Sequence, residues 1–168
     1  MDDERMQDEM ETTQSDTPTR LDFYGCYSHA IDAKGRIIVP NAYRAALGSV
    51  FTIGPTRDFK GVALYPERVY EAILAELNAM NQRKPVVQKY TMQFFKLSYR
   101  DMQADGQGRI LLPPILRQRM LGDARDLEIS GVSSHIRIVG AEKATSDDMD
   151  FMENIDDILE QIGNTEPS

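Results

Sequence analysis

The nine residues Asp32-Ala33-Lys34-Gly35-Arg36-Ile37-Ile38-Val39-Pro40 recur as Asp105-Gly106-Gln107-Gly108-Arg109-Ile110-Leu111-Leu112-Pro113. The shift is a constant 73 positions, from Asp32 to Asp105, and the match continues through Tyr43-Arg44 against Leu116-Arg117. Repetition at one fixed offset predicts two copies of a single supersecondary unit. Each copy places a cation on a tight turn that leads into an apolar strand. Two such turns favour a surface that binds something repetitive and anionic.

The Asp-x-x-Gly-Arg pattern is typical of a hairpin turn. Aspartate accepts hydrogen bonds from the backbone two residues ahead, and glycine adopts the positive φ that other residues resist. We therefore expect a structural role for the Asp and Gly positions. A hairpin does not require the arginine that follows in both copies, so Arg36 and Arg109 either bind an anionic partner or pair with their own aspartates.

Short strands surround both turns, and a short helix follows each copy of the motif. Longer helices are predicted to start at Pro66 and Pro85, since apolar residues follow with helical spacing. Four short strands per copy cannot enclose a sizeable core alone. The predicted fold is therefore mainly β with helices (α+β), in which two intertwined repeats close into one pseudo-two-fold β-barrel.

The charge is distributed unevenly along the 168 residues. The net charge is −8 for the whole chain, but −5 for residues 1–20, +5 for residues 21–140 and −8 for residues 141–168. A basic body between acidic ends is compatible with nucleic-acid binding, which the average alone would argue against. The acidic tail either lowers non-specific DNA affinity by competing with phosphates, or serves solubility and forms a loosely docked helix.

Several classes of function are disfavoured by the sequence. The chain has no apolar run long enough for a membrane helix, and its acidic first twenty residues do not resemble a signal peptide. The single cysteine, Cys26, and two histidines, His29 and His135, form no metal-ligand spacing. No catalytic constellation is evident. We expect a cytoplasmic, nucleoid-associated protein without cofactor, membrane partner, small-molecule substrate or enzymatic activity.

At the repeated motifs the sequence resembles the MraZ family, bacterial proteins made of two tandem SpoVT/AbrB-like units. The resemblance rests on Asp32–Pro40, Tyr43-Arg44, Leu64-Tyr65-Pro66 and Asp105–Pro114, and it covers residues 21–140. It implies a double-barrel fold, a ring-shaped homo-oligomer and sequence-specific binding to double-stranded DNA. It further implies transcriptional control of the operon for cell division and cell-wall synthesis. The DNA-contacting residues that it implies are Lys34, Arg36 and Arg109.

Two features depart from the family pattern. Gln107 stands where the first motif has Lys34, and the acidic ends lie outside the resemblance. Arg44 and Arg117 occupy matching places on the two short helices, where they contact phosphates, neighbouring subunits or only solvent. We divide the chain into a disordered acidic extension (1–20), a first repeat with connecting helices (21–97), a second repeat (98–140) and an acidic, partly helical tail (141–168).

The predicted function is DNA-binding transcriptional regulation by a ring that selects short direct repeats. Arginine matches the major-groove acceptors of guanine, and a ring multiplies the weak contacts of each turn through effective concentration. The alternative is a ring-forming scaffold that binds another protein through its acidic C-terminal helix, with incidental DNA contact.

Overall fold

A computed structural model describes residues 23–165, so the predicted disordered extension lies outside the described residues. Within this range the chain forms eight strands, mostly where β-branched and aromatic residues stand between turns. They are β1 (Cys26–Ala30), β2 (Arg36–Ile38), β3 (Phe51–Pro55), β4 (Val62–Pro66), β5 (Tyr99–Met102), β6 (Arg109–Leu111), β7 (Asp126–Gly131) and β8 (Ile136–Gly140).

The same range contains six helices, and the sequence predicts where four of them begin. Proline stands immediately before α1 and α2 and at the first position of α3 and α4, where its missing N–H costs no hydrogen bond. The helices are α1 (Asn41–Leu47), α2 (Glu67–Ala79), α3 (Pro85–Lys96), α4 (Pro114–Leu121), α5 (Ala141–Glu153) and α6 (Ile155–Gly163).

The strands of the two repeats are interleaved within one antiparallel sheet of order β1-β7-β8-β4-β3-β5, in which the pairs β7-β8 and β4-β3 each come from one repeat. The sequence repeat relates β1 to β5, β3 to β7 and β4 to β8. If each strand is replaced by its equivalent in the other repeat, the strand order becomes the same order read backwards. The sheet therefore has a pseudo-two-fold axis between β4 and β8. The α+β class and the intertwining of the repeats are confirmed.

The barrel does not close, which corrects the prediction of a continuous β-barrel. Closure would require β1 to bond with β5, but within residues 23–165 these strands form the two edges of the sheet. The chain instead leaves each edge strand at a repeated turn, and the strands that follow pair with each other as a separate β2–β6 ribbon. Ile37 and Ile110 of this ribbon are buried in the main core, so ribbon side chains cover the sheet in place of closure.

Two apolar clusters lie on opposite faces of β4. Val62 and Leu64 belong to the main core between the sheet and the ribbon. Ala63 and Tyr65 alternate with them and pack under α2 and α3, as the period of two in a strand requires. Phe94 of α3 is fully buried there and stacks on Tyr70 and Tyr90. The aromatic side chains of α3 therefore belong chiefly to the protein interior.

The C-terminal segment is more helical than its acidic composition indicates. From its periodicity we expect a marginal amphipathic helix, whereas the structure has α5 and α6, separated by Asn154. Packing explains the difference, because α5 contacts β7 and β8 and buries Ala144. No helix among residues 23–165 combines the length and hydropathy needed to cross a bilayer.

Candidate nucleic-acid interface

Each repeated turn is held by its own aspartate. One carboxylate oxygen of Asp32 accepts hydrogen bonds from the backbone N–H groups of Lys34 (2.9 Å) and Arg36 (2.8 Å). Gly35 adopts a φ of 80°, which its missing Cβ permits. These hydrogen bonds, that of the Arg36 backbone N–H foremost, lower the pKa of the Asp32 carboxyl. The carboxylate therefore stays ionised and fixes the shape of the turn.

The second turn repeats this geometry. Asp105 accepts hydrogen bonds from the backbone N–H groups of Gln107 and Arg109, both at 2.9 Å. Gly108 adopts a φ of 77°. The backbone N–H of Arg109 is the main cause that lowers the pKa of the Asp105 carboxyl. The structural roles predicted for the Asp and Gly positions are confirmed in both copies.

Arg36 and Arg109 each form an ion pair with the aspartate of their own turn. Nε donates to the second carboxylate oxygen at 2.7 Å in both copies. The arginine side chains remain 27% and 32% exposed. Among residues 23–165, the side-chain hydrogen bonds of these two guanidinium groups use Nε alone. The aspartates therefore orient each arginine by one nitrogen and leave its terminal nitrogens for another partner.

The β2–β6 ribbon places the two arginines in a symmetric arrangement. Its register pairs Arg36 with Leu111, Ile37 with Ile110, and Ile38 with Arg109. Because strand side chains alternate, the two central isoleucines point into the core while both arginines share the outer face. The arginines lie diagonally across the pseudo-two-fold axis, and Ile38 and Leu111 complete this face with exposed apolar side chains.

Arg44 and Arg117 reach across to the turn of the opposite repeat. Arg44 of α1 donates from Nε to the carbonyl of Val39 at 3.0 Å and from Nη2 to the carbonyl of Gln107 at 3.3 Å. Its guanidinium occupies the space that a side chain at Gly108 would need. Arg117 of α4 lies in the same way against Gly35. Each turn is thus packed against the helix of the other repeat.

Backbone hydrogen bonds also join each turn to the other repeat. The N–H of Val39 donates to the carbonyl of Gly108 at 2.9 Å, and the N–H of Leu112 donates to the carbonyl of Gly35 at 3.1 Å. Both bonds join one repeat to the turn of the other. The relative position of the two turns is therefore fixed by the interior of the protein rather than by the surface loops alone.

The two turns differ in charge. The first groups Lys34, Arg36 and Arg117 with one carboxylate, that of Asp32. The second groups Arg109 and Arg44 with the carboxylate of Asp105, since Gln107 replaces the lysine. Lys34 is exposed at the tip and forms no ion pair within residues 23–165. All five predicted site residues therefore lie at the two turns, and both turns are cationic.

Comparison with known proteins assigns the family. The family model described as "MraZ protein, putative antitoxin-like" matches residues 23–91. The chain is 36% identical over 142 residues to a transcriptional regulator MraZ from Lachnoclostridium phytofermentans, and the alignment covers 84% of this chain and 97% of the relative. The chain belongs to the MraZ family of transcriptional regulators. The resemblance seen in the repeated motifs is confirmed.

Other MraZ relatives agree with this assignment. Proteins of the same name from Lactiplantibacillus plantarum and Herpetosiphon aurantiacus are 32% and 34% identical to the chain. The alignments cover 83% and 72% of this chain, and 97% and 82% of the relatives. These relatives carry the name of a regulator rather than of an enzyme. No cluster of metal-ligating side chains occurs in the part of the chain that the structure describes.

The sequence alone did not reveal how the MraZ repeats hold each other's turns. The equivalence of Arg44 and Arg117 was visible at the shift of 73 positions. Which turn each arginine contacts depends on the crossed arrangement of the repeats, which is a non-local property. The sequence signal that accompanies this contact is a glycine in each turn, Gly35 and Gly108, which leaves room for an arginine of the other repeat.

Proposed function

We propose that the protein is a sequence-specific DNA-binding regulator of transcription. In this proposal it binds short direct repeats in the DNA upstream of the operon for cell division and cell-wall synthesis. It binds them as a ring-shaped homo-oligomer that is cytoplasmic and associated with the nucleoid. The observation that supports it best is the symmetric pair of oriented arginines, Arg36 and Arg109, on one outer face. The proposed DNA-binding residues are Lys34, Arg36, Arg109, Arg44 and Arg117.

The two turn arginines suit the major groove of DNA. A guanidinium held at Nε by a carboxylate can direct its two terminal nitrogens at the O6 and N7 acceptors of guanine. The aspartate reduces the number of side-chain conformations that binding must restrict, and this preorganisation favours affinity. We therefore expect each DNA box to contain guanine where a turn enters the groove.

The remaining cations serve affinity rather than base selection. Lys34 is exposed and flexible, which suits a phosphate contact. Arg44 and Arg117 are half-buried against the opposite turns and add positive charge close to the DNA-facing arginines. One protomer makes few base contacts, so a specific site requires several protomers on neighbouring boxes. A ring of identical subunits meets this requirement when the boxes recur at about one helical turn.

The experiment is a binding series with Arg36→Ala, Arg109→Ala and the parent protein. Arg119→Ala is the matched control, since Arg119 is an exposed arginine of α4 whose side chain makes no hydrogen bond or ion pair among residues 23–165. Fluorescence anisotropy is measured on DNA with one box and with tandem boxes, at two salt concentrations. We expect each turn variant to lose about 1–3 kcal/mol of specific binding, while Arg119→Ala and the oligomeric state stay unchanged.

Two results would contradict the proposal. One is binding of Arg36→Ala and Arg109→Ala to tandem boxes with the affinity of the parent protein. The other is binding to a single box as strong as binding to tandem boxes. An assembled protein without any sequence preference would instead support the scaffold alternative.

A further inference from the structure

Much of the apolar side of α6 is exposed among residues 23–165. Met152, Ile155, Leu159 and Ile162 recur at steps of three and four residues, which places them along one side of the C-terminal helices. Leu159 and Ile162 are 57% and 61% exposed. Among the described residues α6 packs chiefly against α5, so the exposed part of this apolar stripe is available for another surface.

The charge around this stripe disfavours pairing with a second α6. Residues 144–163 contain seven acidic side chains and no cation, and Asp156, Asp157 and Glu160 lie on α6 itself. Two such helices side by side would bring carboxylates together, and like charges at close range are destabilising. The surface that fits the stripe is therefore basic and partly apolar.

The α2–α3 hairpin provides such a surface. Residues 81–99 contain four cations, Arg83, Lys84, Lys89 and Lys96, and no carboxylate. None of the four forms an ion pair within residues 23–165. Lys89, Met92 and Lys96 recur at steps of three and four and lie on the exposed face of α3. Val86 and Met92 are 71% and 62% exposed on this helix.

We propose that α6 of one copy docks on the exposed face of α3 of a second copy. Both surfaces are exposed in the same protomer, so they do not cover each other within one chain. The acids that flank the apolar stripe then lie near Lys89 and Lys96 of the second copy. Contact between two different surfaces is head-to-tail, and such contacts generate rings when the rotation between subunits closes. This inference rests on the self-association included in the proposed function.

The test is a charge-exchange series followed by analytical ultracentrifugation. The first variant is Lys89→Glu with Lys96→Glu, the second is Asp156→Lys with Asp157→Lys, and the third combines all four changes. The matched control is Lys60→Glu with Arg119→Glu, which reverses two exposed cations outside the proposed face. A fifth protein, Leu159→Ser with Ile162→Ser, removes the apolar contact. Circular dichroism verifies that each variant is folded.

We expect the first, second and fifth proteins to dissociate at concentrations where the parent and the control are assembled. The combined variant should regain at least part of the assembly, because its charges are opposite again. If every variant assembles as the parent does, or if the combined variant fails to recover, the docking of α6 on α3 is wrong.

DNA binding separates this inference from the proposed function. Dissociated variants keep intact turns, so they should bind a single box as the parent does and lose the preference for tandem boxes. If the parent protein assembles and prefers tandem boxes, but every variant assembles as well as the parent, only the docking of α6 on α3 is overturned. A parent that is monomeric at all concentrations would overturn both the docking and the ring.

Discussion

Replacement of Gly108 by alanine tests the packing of one repeat against the turn of the other. Gly108 has a φ of 77°, and a Cβ at this position would collide with the guanidinium of Arg44. Alanine therefore meets two obstacles at once. The left-handed backbone is strained for any L-residue, and Arg44 must leave the site where it donates to the carbonyls of Val39 and Gln107.

The expected loss follows from these two contributions. A non-glycine residue in the left-handed region costs roughly 1–2 kcal/mol. Each hydrogen bond that Arg44 gives up contributes on the order of 1 kcal/mol. We expect Gly108→Ala to lower the free energy of unfolding by about 3 kcal/mol, which corresponds to a fall in Tm of roughly 6–12 °C for a chain of this size.

Two other glycines separate the contributions. Gly25 has the same φ of 77° but open space where a Cβ would lie, so Gly25→Ala measures the backbone strain alone. Gly106 also faces open space and has no positive φ, so Gly106→Ala should change stability by less than about 0.5 kcal/mol. Urea unfolding monitored by circular dichroism gives all three values. Equal losses for Gly108→Ala and Gly25→Ala would refute a stabilising role for Arg44.

Single side chains in the core and at the turn tips are open to similar tests. Tyr43→Phe removes the hydroxyl that donates to the carbonyls of Tyr24 (2.7 Å) and Gly25 (2.8 Å), and urea unfolding should show a loss of about 1–2 kcal/mol. Burial, with smaller effects of Arg137 and Arg57, lowers the pKa of His135 to about 4. The folded state therefore binds the proton less well than the unfolded state, and stability is lost as the pH falls from 6.5 towards 4. Because the imidazole of His135 is partly exposed, we expect the free energy of unfolding to fall by about 2 kcal/mol over this pH range. His135→Gln should abolish this pH dependence, as urea unfolding at several pH values would show. Gln107→Lys should steepen the slope of log affinity against log salt concentration by about the amount of one phosphate contact, and Lys34→Gln should make this slope shallower. Anisotropy titrations at several salt concentrations measure both slopes. Unchanged slopes would contradict phosphate contact by the turn tips.

Local chemistry made the turns and most helices predictable. An aspartate three residues before a glycine favours the same hydrogen bonds wherever it occurs, so the positions of Asp32 and Asp105 in the chain are enough to indicate the geometry of both turns. Proline placed the beginnings of α1–α4 to within about a residue, because its fixed φ suits the first turn of a helix. The constant repeat offset then predicted the intertwining, because neither copy alone has enough strands for a core.

Non-local packing was less predictable. The open sheet depends on Ile37 and Ile110 meeting at the centre of the ribbon, and a sequence does not show which strands pair. The length of α5 depends on contact with β7 and β8 at Ala144. Local propensity underestimates such a helix, because tertiary packing supplies most of the stability of helices in proteins.

The packing of Arg44 and Arg117 against the turns of the opposite repeats has a consequence for the proposed DNA binding. Arg36 is oriented by Asp32, and Asp32 lies in a turn that Arg117 of the other repeat packs against. Arg109 depends in the same way on Asp105 and on Arg44. The position of each turn arginine is thus determined jointly by both repeats. In the proposed function, the unit that binds DNA is therefore the symmetric pair of turns. Damage to the short helix of one repeat should first displace the arginine of the other.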